Sequence, residues 1–268
     1  MNGAKGGKSM IRAIFFDIGG TVHTQDATPV NDKAYAEELH GYLQVHGIET
    51  TKTPELLLPH INDGAKAYKK FTEQELIELP GDVIWREYML RDFGIPPDRI
   101  KGLGEELSYM FDRRRKEIVQ RKGLHETLEA LKSRGYRLGV ISNIMSVTFV
   151  PRILKEHGVD QYFETLVMSS VCGIRKPRPE IFEIALRDMG ICKSEACYIG
   201  DTISRDVRGV RNAGWPLMIQ IDNPRIYHKD EKYRDMGYEA DFRIETLPEI
   251  VPIVEAYNQN LREGAQET

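Results

Sequence analysis

Apolar positions along the chain follow two rhythms. Residues 11–16, "IRAIFF", form a near-continuous apolar run closed by Asp17 and a Gly-Gly pair. That is the pattern of a strand buried on both faces of a parallel sheet. From about 31 to 118 the rhythm turns helical. "DKAYAEELHGYLQVHG" places Ala34, Leu39, Leu43 and Val45 at helical spacing and stops on Gly47. "NDGAKAYKKFTEQELIEL" opens on an Asn-Asp cap and runs to Pro80. "GDVIWREYMLRDFG" and "PDRIKGLGEELSYMFDRRRKEIVQ" predict a third and a fourth helix, the last with a break near Gly104. No strand is expected in this stretch. After Gly123 strands return in alternation with helices: "YRLGVISN", "YFETLVMSS", "EACYIGD" and "PLMIQID" read as strands. "LHETLEALKSRG", "VPRILKEHGV", "RPEIFEIALRDMG" and "SRDVRGVRNAG" read as helices.

Strands alternating with helices imply right-handed crossovers and a mostly parallel sheet covered on both faces. The expected architecture is a doubly wound parallel α/β core, residues 10–24 and 119–268, with an all-helical domain inserted at 25–118. Ligands of such sheets bind at the carboxyl ends of the strands. Asp17, the pair Ser142 and Asn143, and Asp201 all fall at those ends.

Composition narrows the picture by exclusion. A chain of 268 residues has room for a large domain and an insert. A formal charge of -4 gives no reason to expect nucleic acid or a membrane surface as partner. Cys172, Cys192 and Cys197 show no metal-ligand pairing and read as reduced thiols, so a cytoplasmic protein is expected. No apolar run reaches the length of a membrane span. Residues 1–9 are expected to be a flexible leader. Their "GGKS" imitates a phosphate loop, but the first glycine of that pattern would fall at Asn2 and no strand precedes it. Arg113, Arg114 and Arg115 read as the wet face of a helix, and His23 as a loop histidine.

Four stretches, in order and on the expected strands, resemble the motifs of the haloacid dehalogenase superfamily: "FFDIGGTV", "GVISN", "GIRKPRPEIF" and "YIGDTISRDVRGVRNAG". Most members are magnesium-dependent phosphatases that act on small phosphorylated molecules. The resemblance implies that Asp17 is the nucleophile and that Lys176 neutralises the facing anions. It implies a magnesium ion held by Asp17, Asp201, Asp206 and the Gly19 carbonyl. Ser142, Asn143 and Lys176 would bind the phosphoryl group, and the helical insert would be a cap whose Tyr68, Arg86 and Tyr88 are candidates for selecting substrate. These types suit the chemistry, because a carboxylate attacking phosphate needs cations and hard oxygen ligands to offset repulsion.

One position departs from the pattern. Where such phosphatases carry a second aspartate that shuttles a proton, this chain has Gly19. General acid–base help is worth about 10²–10⁴-fold, so a weak or leaving-group-selective phosphatase is expected, and Gly19→Asp is expected to raise activity. A phosphonatase-like enzyme with a Schiff-base lysine stays open, with Lys52, Lys66, Lys69 and Lys70 in the insert but in no matching pattern. A non-catalytic phosphate- or partner-binding protein also stays open. Neither the substrate nor the oligomeric state is legible in the chain.

Overall fold

The structure, a computed structural model, describes residues 9–266; the leader expected over 1–9 lies, apart from Ser9, outside the described residues. Its strands are β1 (Ala13–Phe16), β2 (His23–Ala27), β3 (Lys116–Gln120), β4 (Arg137–Ser142), β5 (Phe163–Met168), β6 (Ala196–Gly200), β7 (Leu217–Ile221) and β8 (Phe242–Ile244). Six of them form a parallel sheet in the order β5-β4-β1-β6-β7-β8, while β2 and β3 pair as a separate antiparallel ribbon. The doubly wound α/β class is therefore as expected. Beginning at β1, the chain builds outward on one side through β4 and β5, then crosses to β6 on the other. This reversal opens the crevice where ligands bind such sheets.

The sheet is buried because its strands alternate two apolar faces. Ile14 and Phe16 point into one core with Leu128, Leu138, Ile153, Ile199 and Val254. Ala13 and Phe15 point into the other with Ile141, Phe182, Tyr198 and Trp215. The first face is covered by α6 (Leu124–Ser133), α7 (Phe149–Glu156) and α12 (Ile250–Gln266), and the second by α9 (Pro179–Met189) and α10 (Arg208–Ala213). Between β2 and β3 lie α1 (Pro29–Val45), α2 (Pro54–Glu75), α3 (Gly81–Ile84), α4 (Pro97–Ile100) and α5 (Gly104–Arg114). They close on a third core of their own that contains Tyr35, Leu39, Leu57, Trp85 and Leu107. The remaining helices, α8 (Ser169–Cys172) and α11 (Tyr227–Asp235), connect core strands.

Several elements differ from the expectation, strand β2 among them. The fourth helix stops at Arg114, and residues 116–120 form β3, because they pair with β2 from Ala27↔Lys116 to His23↔Gln120. The insert expected to be all-helical over 25–118 thus has strand at both ends, in β2 and in β3. Helix α2 begins at Pro54 rather than at Asn62 and ends at Glu75 on Leu76, whose φ of 55° is left-handed. Pro59 lies inside it and is tolerated because Leu57 and Ile61 carry the buried stripe across it. Strand β8, which follows "PLMIQID", went unread because only Ile244 of its three residues is buried.

Candidate active site

Strand β1 delivers Asp17 to the centre of the crevice, and Asp17 N–H still donates to Ile199 O at 2.9 Å, as a strand residue would. The chain then turns sharply: the N–H groups of Thr21 and Val22 both donate to Ile18 O. Gly20 sits at φ +90°, and a Cβ there would fall 2.0 Å from Asp201 Oδ2. Only glycine permits both the backbone and the acid beside it. Arg121 locks this turn by donating to Gly20 O at 2.9 and 2.6 Å and to Asp222 O at 2.8 Å.

Lys176 is the hub. Its Nζ donates to Asp17 Oδ1 at 2.8 Å, Asp206 Oδ1 at 2.7 Å and the Tyr198 hydroxyl at 2.7 Å, so all three ammonium protons are engaged. The Tyr198 hydroxyl in turn donates to Ile141 O at 2.9 Å. Asn143 aligns the lysine through its main chain: its Nδ2 donates to Lys176 O at 3.0 Å and its Oδ1 accepts from Lys176 N–H at 2.9 Å. In this structure the Asn143 amide therefore positions Lys176. Ser142, also expected against phosphate, ends β4 as a buried residue.

Asp201 and Asp206 follow β6. Gly200 lets Asp206 approach, since a Cβ there would meet Asp206 Cγ at 2.5 Å. Asp206 Oδ2 accepts from the Thr202 N–H at 2.9 Å and the Thr202 hydroxyl at 2.6 Å. Asp201 Oδ2 accepts from Asn223 Nδ2 at 2.7 Å, while its buried Oδ1 has no hydrogen-bond partner among the described residues. One ligand atom from each of Asp17, Asp201 and Asp206 lies within 4.8 Å of the others.

Their protonation follows from burial and charge. Burial foremost, with Lys176 opposing it and Asp206 adding to it, raises the Asp17 carboxyl above its ordinary range. Burial, then Asp17 and Asp206, push Asp201 up to about 7. For Asp206 burial pulls upward as well, but Lys176 and Arg205 win and hold it below the usual carboxylate range. Arg205 was not singled out from the sequence; its positive charge acts on Asp17, Asp201 and Asp206 together. Tyr198 was missed as well, since it reads there as one more apolar strand residue.

Other candidates lie elsewhere. Arg113 pairs with Glu156 at 2.7 Å, Arg114 with Glu38 at 3.4 Å, and Arg115 with Asp32 at 3.3 Å. Tyr68 is buried and packs on Tyr88, with its hydroxyl donating to Glu78, while Arg86 pairs with Glu87. Lys66 and Lys69 pair with Asp63 and Glu73 on the surface. His23 is fully buried against Phe149 and His157 rather than in an open loop. Among the described residues no helix is long and apolar enough to cross a membrane.

A family model described as haloacid dehalogenase-like hydrolase matches residues 11–214. The glyceraldehyde 3-phosphate phosphatase of Methanopyrus kandleri is 24% identical over 245 residues, spanning 91% of this chain and 97% of its own. Among solved structures, a 2-haloacid dehalogenase from Pseudomonas syringae pv. Tomato DC3000 is 23% identical and covers 92% of this chain and 99% of its own, with a TM-score of 0.61. A HAD phosphatase from Thermococcus onnurineus is 22% identical and covers 91% of this chain and 98% of its own, with a TM-score of 0.58. At those identities the two structures speak to the fold alone. With the family model matching residues 11–214, more than half of the chain, the chain belongs to the haloacid dehalogenase-like hydrolase family, an enzyme with curated relatives that are phosphatases.

Proposed function

We propose that the protein is a magnesium-dependent phosphatase that hydrolyses a small organic phosphate through an aspartyl-phosphate on Asp17. The observation that carries this reading is the convergence of Asp17, Asp201 and Asp206 within 4.8 Å around an Asp17 that Lys176 holds at 2.8 Å. Three carboxylates face two nearby cations, Lys176 and Arg205, and Asp201 Oδ1 is buried without a partner. Buried charge left short of counter-charge is costly, and an all-oxygen set with an open donor suits a hard divalent cation. Asp17, Asp201, Asp206 and the Gly19 carbonyl would hold it. Bound magnesium would supply charge neutralisation to the phosphoryl oxygens.

The chain's own residues supply the rest. An Asp17 carboxylate oxygen attacks phosphorus and the bond to the leaving oxygen breaks, giving the acyl phosphate. Lys176 keeps that oxygen aimed and offsets the repulsion between carboxylate and phosphate. The Ser142 hydroxyl, at the end of the strand beside β1, would donate to an equatorial phosphoryl oxygen. Water then attacks the same phosphorus, inorganic phosphate leaves and the Asp17 carboxylate returns. The helical insert, residues 25–118, would act as a cap that excludes bulk water and selects the leaving group.

The test is turnover of an aryl phosphate and a panel of alkyl phosphates with magnesium and with EDTA. Activity is expected only with magnesium and is expected to vanish in Asp17→Asn, while Asp201→Asn loses calorimetric magnesium binding as well as turnover. Equal rates in EDTA would sink the metal reading, and an active Asp17→Asn the nucleophile. No turnover of any ester would favour a binding protein.

A further inference from the structure

The Gly19 side of the site is filled by a pair of side chains from the β2–β3 ribbon. A Cβ built on Gly19 would meet Gln25 Nε2 at 2.6 Å, and, its chain neighbours aside, the three nearest atoms are all of Gln25. Gln25 is thus seated where a carboxylate on this residue would begin. The other end of its amide, Oε1, accepts from Lys116 Nζ at 3.0 Å. Gln25 and Lys116 are diagonal neighbours on the ribbon, because the pairing puts Lys116 opposite Ala27 and Gln25 opposite Ile118. Their side chains therefore share one face. A glutamine bridges the space above the turn after the nucleophile to an amine that has no carboxylate within salt-bridge distance among the described residues.

We propose that Lys116, oriented by Gln25, takes the place of the missing acid/base: it protonates the leaving oxygen and then accepts the proton of the attacking water. This rests on the reading of Asp17 as nucleophile. In the first step an N–H proton of Lys116 passes to the ester oxygen as its bond to phosphorus breaks, so a neutral alcohol departs and a neutral amine remains. In the second step that amine takes a proton from water as the water oxygen bonds to phosphorus and the bond to the Asp17 oxygen breaks. Inorganic phosphate, the carboxylate and the ammonium are regenerated, and no further reactant is needed.

The surroundings of the amine favour such a cycle. Burial foremost lowers its pKa from the ordinary lysine value; Asp112 opposes this, and Arg115, Arg205 and Lys229 reinforce it. An ammonium that gives up its proton more easily is a better acid and spends more time as a base near neutral pH. The charge of Arg205 links the amine to the acidic cluster, since Arg205 acts both on Lys116 and on Asp17. Lys116 also stands where the chain returns from the helical insert to the core, so its position depends on how the ribbon is seated.

The test uses the full chain with magnesium and two substrates that differ in leaving group, p-nitrophenyl phosphate and glycerol phosphate. Release of the leaving group is read in a single turnover, which isolates the first step. Lys116→Gln is expected to slow glycerol release by about 10²-fold or more while leaving nitrophenol release within a few fold, because a good leaving group needs little protonation. Retained nitrophenol release also shows that the variant is folded. Lys116→Arg keeps the charge but holds its proton, and is expected to be as slow on glycerol phosphate as Lys116→Gln. Equal losses on both substrates, no loss on either, or full activity in Lys116→Arg would each overturn the proposal. If Asp17→Asn releases both leaving groups at the parental rate, the reading of Asp17 as nucleophile has failed, whatever Lys116 does.

Discussion

At the scale of single residues, the position that departs from the family pattern is also where a substitution is most informative. Gly19 leaves room that Gln25 occupies with the tip of a flexible side chain, so an aspartate at that position needs Gln25 to swing rather than the backbone to move. Placed in the Lys116→Gln background, Gly19→Asp therefore puts a carboxyl into the space next to Asp17. The double variant is expected to recover at least about 10-fold of the glycerol release lost in Lys116→Gln, within the range general acid help spans. Single-turnover release from the double variant, compared with each single one, checks it, and no recovery would show that the space admits no working acid. Gly20 offers no such freedom, since its left-handed φ and the closeness of Asp201 forbid a side chain. The two adjacent glycines look alike in the sequence and differ entirely in what they allow.

At the scale of elements, the ribbon of β2 and β3 does the joining, and its first residue is His23. This imidazole is fully buried against Phe149 and His157, and its Nε2 lacks a partner among the described residues. Burial first, then the charges of His157, Lys116 and Arg113, lower its pKa to about 3. In the unfolded chain the ring takes a proton below about 6.5, the ordinary value, while in the fold it stays neutral down to about 3. Its contribution is complete above pH 6.5 and is lost as pH falls towards 3. Each pH unit between those values corresponds to about 1.4 kcal/mol. In urea unfolding at pH 7, 5 and 4, His23→Leu should show a shallower loss of stability on acidification than the parent. A slope identical to the parent's would mean that this ring is not the acid-sensitive group.

The same ribbon explains how much of the molecule was legible. The core strands other than β8 announced themselves because each is a short, largely apolar run ended by a polar residue, and Asp17, Ser142 and Asp201 followed from those ends. Lys176 came from its motif. Strand β3 was hidden because "KEIVQ" continues a helical stretch in sequence, and only pairing with distant β2 makes it extended. With β3 went Lys116 and Gln25, whose meeting depends on that register. Arg205 and Tyr198 were hidden for another reason: an arginine in a turn and a tyrosine in a strand both have commoner uses than facing a carboxylate.

At the scale of the whole molecule, the insert and the core are tied by carboxylates of the insert, Glu105 and the buried Glu78, as well as by the ribbon. Glu105 at the start of α5 receives the N–H groups of Val147 and Thr148 at 2.9 and 3.0 Å and the Ser146 hydroxyl at 2.7 Å, capping the turn that follows Ser142 and Asn143. Glu78, after α2, accepts from the Ser169 hydroxyl at 2.6 Å and pairs with Arg175, while its N–H donates to Gly173 O at 2.9 Å. Arg175 precedes Lys176, so this dock lies one residue from the hub of the site. The Glu78 side chain is fully buried. Removing one partner of a buried pair typically costs about 3–5 kcal/mol because the other charge is left uncompensated. Glu78→Ala is expected to lower urea-unfolding stability by about 3 kcal/mol and to speed proteolysis at the chain linking insert to core. It should reduce kcat/KM, yet leave in place the calorimetric magnesium affinity proposed for the acidic cluster, since Asp17, Asp201 and Asp206 all follow core strands. Loss of magnesium affinity equal to the loss of turnover would show instead that the dock shapes the acidic cluster itself.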